Sequence, residues 1–379
     1  MPNRKIFQPI DNEDIIEDVK KVVTGFFTGN NGKLVGGNLV TKSLSTAQKN
    51  YYYNMQYSSE DQLSVTFGHI GGSGSNGSNG SVSNLKGETE AIYKSFASQL
   101  LPAADAHSGF VFHSGSNSGT TFNGATAFIN DGKKPEPGMY FVVAERARMK
   151  DRIDKGSWTI ILSGSNETSG TAGTNNKPTH LGLTDNSEKK DVFPDASPAG
   201  PRYDIVSGSA GTVINGDKVY GWFYPNIGVW ALRDSMLSAS IRGNAGYITG
   251  SGIGNAGWNH YGSGLAMDTT ISSVTDNALK IAKAISLGTH TLRAQEDQAI
   301  TSYFCRARAH QFNGTTNPTF ISGSDGRLLN RTMEGDPQVF VTTVGLYDEN
   351  YELVMVGRLS SPVQKNWSTE ATFKTNLTW

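Results

Sequence analysis

One cysteine, Cys305, stands in 379 residues, so no disulfide can form within the chain and no multi-thiolate zinc site is available. Charge is scarce as well. Charged residues make up 18% of the chain, against about 25% in ordinary globular proteins. The net charge of −1 leaves no field of one sign to draw the chain to nucleic acid or to an anionic membrane. No run approaches the ~20 apolar residues of a spanning helix. The opening Met1-Pro2-Asn3-Arg4-Lys5 leads into acidic residues rather than an apolar stretch, so a secretory signal is not expected. With a single thiol, this points to synthesis in a reducing compartment.

What the chain has in abundance is glycine, 44 residues, with many Ser, Asn and Thr. A hydrophobic content of 36% is too high for disorder and enough for a core. The profile is that of many short strands joined by turns. The expected class is mainly β with a few short α-helices: a β-sandwich-like body carrying long Gly/Ser/Asn-rich loops, with α+β as the fallback. No internal period of about 20–50 residues emerges, so neither a solenoid nor a propeller is supported.

Residues 11–27 predict an amphipathic helix, with Ile15, Ile16, Val19, Val22, Val23 and Phe26 at three- and four-residue steps. Strands are expected at residues 49–57 and 62–70, before a Gly/Ser/Asn tract at 71–83. Residues 88–101 predict a short helix with Ile92, Phe96 and Leu100 on one stripe. A strand at 140–143 leads through a charged turn to a second at 158–162. Residues 166–190 look like a polar, nearly core-free insertion. Residues 218–232 predict a hairpin turning at Tyr224-Pro225-Asn226. Another Gly/Ser/Asn tract follows at 243–264, then a short helix at 274–285. Strands are expected at 302–309, at 339–347 paired with 351–359, and at 370–379. The expected division is 1–35, an N-terminal helix and arm; 36–165, a β-rich domain; 166–200, a polar insertion; and 201–379, a β-rich C-terminal domain, as an alternative continuous with the preceding β region.

No set of residues converges on a chemistry. G-x-G-x-x-G occurs at Gly72/Gly74/Gly77 and Gly252/Gly254/Gly257, as chance allows at this glycine content, and no β-α-β alternation follows. His107 and His113 bracket an apolar run; six residues of extended chain separate two rings by roughly 20 Å, too far to share one ion. On a strand, Cys305 shares a face with Tyr303, Ala307 and Ala309 while His310 takes the other, which suits a buried, inert thiol better than a nucleophile. Glu145, Asp151 and Asp154 lie among Arg146, Arg148, Lys150, Arg152 and Lys155. Such neighbours lower carboxylate pKa values, whereas a glycosidase needs one raised. A solvated or interfacial salt-bridge segment fits better. Asp348, Asn350 and Glu352 alternate oxygens as a weak calcium loop would, but read better as a polar hairpin tip. Tyr51, Tyr52, Tyr53, Trp222 and Trp230 are either interface anchors or core. No catalytic, cofactor-binding or metal-binding residue is assigned, and no cofactor is expected.

Segments 140–153 (YFVVAERARMKDRI), 219–229 (VYGWFYPNIGV), 302–320 (SYFCRARAHQFNGTTNPTF) and 341–359 (VTTVGLYDENYELVMVGRL), with 51–57 and 64–72, together resemble virion structural proteins of T-even-like contractile-tailed bacteriophages, especially those of marine cyanobacterial hosts. The nearest analogue is a baseplate wedge subunit. The resemblance implies a β-rich, non-enzymatic virion protein, made in the host bacterial cytoplasm. It further implies assembly as a homodimer and with other tail subunits, without nucleic acid or membrane. Neck, capsid-decoration or host-contacting positions are the alternative, and a polysaccharide hydrolase using Asp151 and Asp154 the more distant one.

Overall fold

The computed structural model describes residues 7–27, 33–34, 40–41, 52–73, 87–112, 135–167, 176–187, 197–241, 265, 274–322 and 325–378. Tyr51, His113, Gly74, Gly77, Gly252, Gly254 and Gly257 lie outside the described residues, as does the tract 243–264.

In chain order the chain forms strands β1 (Ile15–Gly25), β2 (Lys33–Leu34), β3 (Val40–Thr41), β4 (Tyr53–Tyr57) and β5 (Glu60–His69). Helices α1 (Glu88–Leu100) and α2 (Ala103–Ala106) follow, then β6 (Gly138–Ala144), α3 (Arg146–Met149), β7 (Arg152–Ile153), β8 (Ile160–Glu167) and β9 (Asn176–Asp185). Next come β10 (Tyr203–Ser209), β11 (Thr212–Asn215), β12 (Gly221–Tyr224), β13 (Val229–Arg233), α4 (Asp234–Ser240) and α5 (Val274–Ser286). The chain ends with β14 (His290–Thr291), β15 (Arg293–Ala307), β16 (Val339–Tyr347), β17 (Leu353–Lys365) and β18 (Ala371–Thr378). Strands take 47% of the described residues and helices 17%, which is the mainly β class.

Two expectations are corrected. Residues 15–25 form a strand, not a helix. The spacing of Ile15, Ile16, Val19, Val22 and Val23 fits a helical face, but each is β-branched, and such side chains lose rotamer freedom against a helical turn. The segment 166–190 is not a structureless insertion: β8 pairs antiparallel with β9 in an unbroken register from Ile160↔Leu183 to Glu167↔Asn176. Its polar half hid the alternation that Ile160, Leu162, Leu181 and Leu183 carry.

The division of the chain also differs. One compact unit is Val22–Glu296; the other joins Met1–Lys21 to Asp297–Trp379. The expected boundaries at 35/36, 165/166 and 200/201 all fall inside the first unit.

The larger unit is built on a ten-stranded sheet in the order β3-β4-β5-β6-β13-β12-β10-β9-β8, with β11 against β10. β6 lies at its centre. Val142 faces Val65 of β5 on one side and Trp230 of β13 on the other. The period-two alternation sends its side chains into two cores. Tyr140, Val142 and Ala144 join Trp158, Phe223 and Trp230, covered by Ala278, Ile281, Ala282 and Ile285 of α5. Met139 and Phe141 join Trp222, Tyr224 and Ala231, covered by Tyr93, Ala97 and Leu100 of α1. Because both faces are packed, β6 and β13 read as continuous apolar runs rather than alternating ones.

α1 begins with Glu88 and Glu90, whose charges suit the helix N-terminus, and ends just before Pro102. Its buried stripe is Tyr93, Ala97 and Leu100, one position round from the expected one. Ile92 and Phe96 flank it, with Phe96 stacked on Phe141 at 4.0 Å between ring centroids. Gly68 of β5 makes this close docking possible: a Cβ there would lie 2.8 Å from the Tyr93 nitrogen. The β12–β13 turn closes with Gly228 N–H donating to Tyr224 O (2.9 Å). Gly228 holds a φ of +65°, and a Cβ there would meet Met149 Sδ at 2.4 Å.

Among the described residues the smaller unit is strand and turn, with short 3-10 turns at Asn12–Asp14 and Arg331–Met333 and no α-helix. β15 pairs with β18 from Ile300↔Thr378 to Ala307↔Ala371, and β1 adjoins β15 on the sheet path β1-β15-β18. β16 and β17 form a separate two-stranded ribbon, with bulges between Val341 and Thr343 and between Leu346 and Tyr347. Its tip is fixed by Asp348, whose Oδ1 accepts the N–H groups of Asn350 (2.9 Å) and Glu352 (2.7 Å). This is a polar hairpin tip, as the sequence suggested. At the other end of β17 the buried Lys365 ammonium donates to Ala309 O (3.0 Å), Asn313 Oδ1 (2.8 Å) and Asn366 O (2.9 Å), using its three protons.

Candidate functional site

The residues weighed as catalytic do not gather. His107 is exposed, and so is His310. Cys305 is half-buried on β15 opposite Phe373, and desolvation pushes its thiol pKa up, the reverse of an activated nucleophile. Asp154 is buried and its N–H donates to Arg293 O (2.8 Å), while Asp151 N–H donates to Gln295 O (3.2 Å). Both belong to the stretch that carries β7 against β15. Among the described residues no group of three or more His, Cys, Asp or Glu could hold a metal ion. No helix among them is long and apolar enough to cross a membrane.

The charged stretch after β6 forms ion pairs with distant segments. Arg148 pairs with Glu60 and donates from Nε to Asp61 O (3.1 Å); Lys150 pairs with Glu296 at 2.5 Å. Asp61 is held further by Gln56 Nε2 (2.6 Å) and Asn54 Nδ2 (3.0 Å). Gln56, Glu60, Asp61, Arg148 and Lys150 line an open cleft of about 690 Å³ with Glu145. The arrangement locks the β4–β5 turn to α3. A smaller apolar groove of about 510 Å³ lies between β5 and α1, with Ile92, Phe96 and Val143 in its wall.

Of the aromatics weighed as anchors, Trp222, Trp230 and Tyr53 are core residues. Trp230 stacks on Phe223 at 5.1 Å, and Arg202 lies 3.9 Å over the Trp222 ring. Tyr52 alone of these is exposed among the described residues.

Most of the exposed large apolar side chains among the described residues lie instead in the smaller unit, with Val23, Tyr52 and Ile214 the exceptions in the larger one, and sequence reading missed them. Its buried hydrophobic residues are Ala307, Val339 and Leu346. By contrast Leu353, Val354 and Val356 of β17 are each more than half exposed, as are Phe340, Tyr351 and Trp367. At the ribbon tip the register sets Tyr347 opposite Leu353, and the Phe7 ring lies 4.9 Å from Tyr347 and 5.1 Å from Tyr351. These rings make one exposed cluster. On β1, Ile16 is 51% and Val19 64% exposed. The strands have the alternation of half-buried sheet, with β18 running inner and outer residue by residue, yet neither face of β18 is fully buried within the chain. The signal was present in the sequence as well-patterned strands, but pattern cannot say whether the covering layer belongs to the same chain.

No protein-family model, curated protein or solved structure gives a significant match to the chain.

Proposed function

We propose that this chain is a non-enzymatic virion structural protein of a contractile phage tail, a baseplate wedge component that assembles through protein–protein contacts. One observation carries the assembly part of this reading. Among the described residues, the smaller unit orders strands, bulges and turns around three small or medium buried hydrophobic residues while leaving aromatic and aliphatic side chains in water. Ordering backbone costs about 1–2 kcal/mol per residue, and burial of apolar surface is what offsets it. Exposed apolar clusters of this kind mark surfaces that a partner covers, and Tyr, Trp, Phe and Met are the residues such surfaces favour. The resemblance of the sequence segments supplies the tail setting.

The experiment is electron microscopy of native particles with a gold-labelled antibody against the chain. Label at the tail end is the expected result. Label along the head or collar keeps a structural role and overturns the wedge position. Particles without label overturn the reading.

A further inference from the structure

We infer that β1 is a self-pairing edge: two copies of this chain join β1 to β1 antiparallel about Val19, making a continuous sheet in the order β18-β15-β1-β1-β15-β18. The inference deepens the assembly reading and rests on it.

The first observation is the edge itself. β1 stands at the end of its sheet path, and among the described residues no strand pairs with its outer side. Residues 16–21 are all exposed. A strand edge with unpaired backbone groups is a template for another strand. The Val19 N–H donates to its own neighbour's carboxylate, Asp18 Oδ1, at 2.8 Å. A side chain thus occupies a backbone donor that a sheet ladder would otherwise take.

The second observation is the order of charges. Read from either end, residues 17–21 are two charges of one sign, Val19, and two of the other: Glu17, Asp18, Val19, Lys20, Lys21. Antiparallel pairing centred on Val19 sets Glu17 opposite the second copy's Lys21 and Asp18 opposite its Lys20, with Val19 against Val19. Because opposed residues share a face, Glu17, Val19 and Lys21 form one row and Asp18 and Lys20 the other. Each row closes its charges in opposite-sign pairs. The same pairing sets exposed Ile16 opposite Val22. Parallel pairing would instead set Glu17 on Glu17 and Lys21 on Lys21. A one-residue slip leaves Asp18 opposite Val19 in one direction and Lys20 opposite Val19 in the other. The charges therefore favour antiparallel over parallel pairing, and the register centred on Val19, which matches all four charges, over its one-residue slips, which match only half of them. Scattered edge charges normally guard an edge by repelling a second copy. This arrangement does the opposite, since a twofold axis through Val19 converts every meeting into an attraction.

The test uses the full chain and its mass in solution by light scattering, with circular dichroism to check folding. The wild-type chain is expected to run at the mass of two copies. E17K/D18K presents four lysines and K20E/K21E four carboxylates, so each alone is expected to fall to one copy, with dimer affinity lowered at least about tenfold. Mixing the two variants is expected to restore the two-copy mass as a heterodimer. The swapped chain E17K/D18K/K20E/K21E is expected to pair with itself again. A one-copy mass for the wild type overturns the inference. So does a two-copy mass that survives in both double variants, which places the interface elsewhere. Variants that separate and do not recover on mixing overturn the register. A chain that labels the tail yet runs as one copy keeps the assembly reading and loses only the edge pairing.

Discussion

The two units solve the same problem differently. In Val22–Glu296 a helix covers each face of the sheet, so every side chain of β6 except the half-buried Val143 is buried. In the unit of Met1–Lys21 and Asp297–Trp379 the strands are as regular, yet β17 exposes Leu353, Val354 and Val356 in sequence. Strand-forming pattern is thus shared, and what separates the units is whether a covering layer lies in the same chain. The first unit buries its strands beneath its own helices, and the second leaves apolar strand surface exposed among the described residues.

That contrast can be broken most forcefully at Trp230. It is fully buried against Trp158 and Phe223, so Trp230→Ala removes the centre of the larger core. The expected loss is about 3–5 kcal/mol in a denaturant melt. If the loss were small, the larger unit would not be held by its core.

His290 comes next. Its ring is buried, with Nδ1 accepting from Ile161 N–H (3.3 Å) and Nε2 donating to Ile285 O (2.6 Å), so the neutral ring satisfies both neighbours. Burial lowers its pKa to about 4, despite the opposing effect of the Ile285 carbonyl. Because the folded pKa lies below the unfolded value near 6.5, the unfolded chain binds the extra proton first. This contribution is whole above about pH 6.5 and is lost as pH falls towards 4, on the order of 3 kcal/mol. Equilibrium unfolding at stepped pH measures it, and His290→Gln is expected to flatten that limb of the profile.

Gly68→Ala probes the helix-covered face. The added methyl would press on the backbone of α1 at Tyr93, so about 1–3 kcal/mol is expected, with hydrogen exchange quickening first in α1. The smallest effect belongs to the other unit. Leu353→Ser and Val356→Ser remove apolar surface that water already touches, so thermal unfolding of the isolated chain should change by less than about 0.5 kcal/mol. The same substitutions should impair incorporation into particles. A large loss of stability there would show that the ribbon is packed within its own chain.

Much of this architecture was legible in the sequence, and the exceptions have causes. The β4–β5 pair, α1, β6, the β12–β13 hairpin and the terminal strands follow from local alternation, turn chemistry and Pro102. β1 was misread because five β-branched residues happen to fall at helical spacing, and spacing outweighed side-chain type. The β8–β9 hairpin was missed because its polar half lacks the apolar beat that marks a strand. The division into units was out of reach, since Met1–Lys21 joins Asp297–Trp379 through pairing far apart in sequence. The candidate surface shared that difficulty: residue type left Trp222 and Trp230 open between core and interface anchor, and only three-dimensional burial puts them in the core and leaves Tyr347, Tyr351 and Leu353 exposed.

The sheet path β1-β15-β18 has a consequence in time. β1 ends at Gly25 and β15 begins at Arg293, so 293 − 25 = 268 residue steps separate a strand from its neighbour. At roughly 5–20 residues per second of synthesis, β1 waits about 13–54 s for that neighbour to be made. During that interval both of its edges are open. On a message read by several ribosomes, nascent copies of β1 lie close together while nothing else competes for them. Under the inferred pairing, a strand whose charges match its own reverse would meet another copy before its own sheet, so joining of subunits would begin on the ribosome rather than after release.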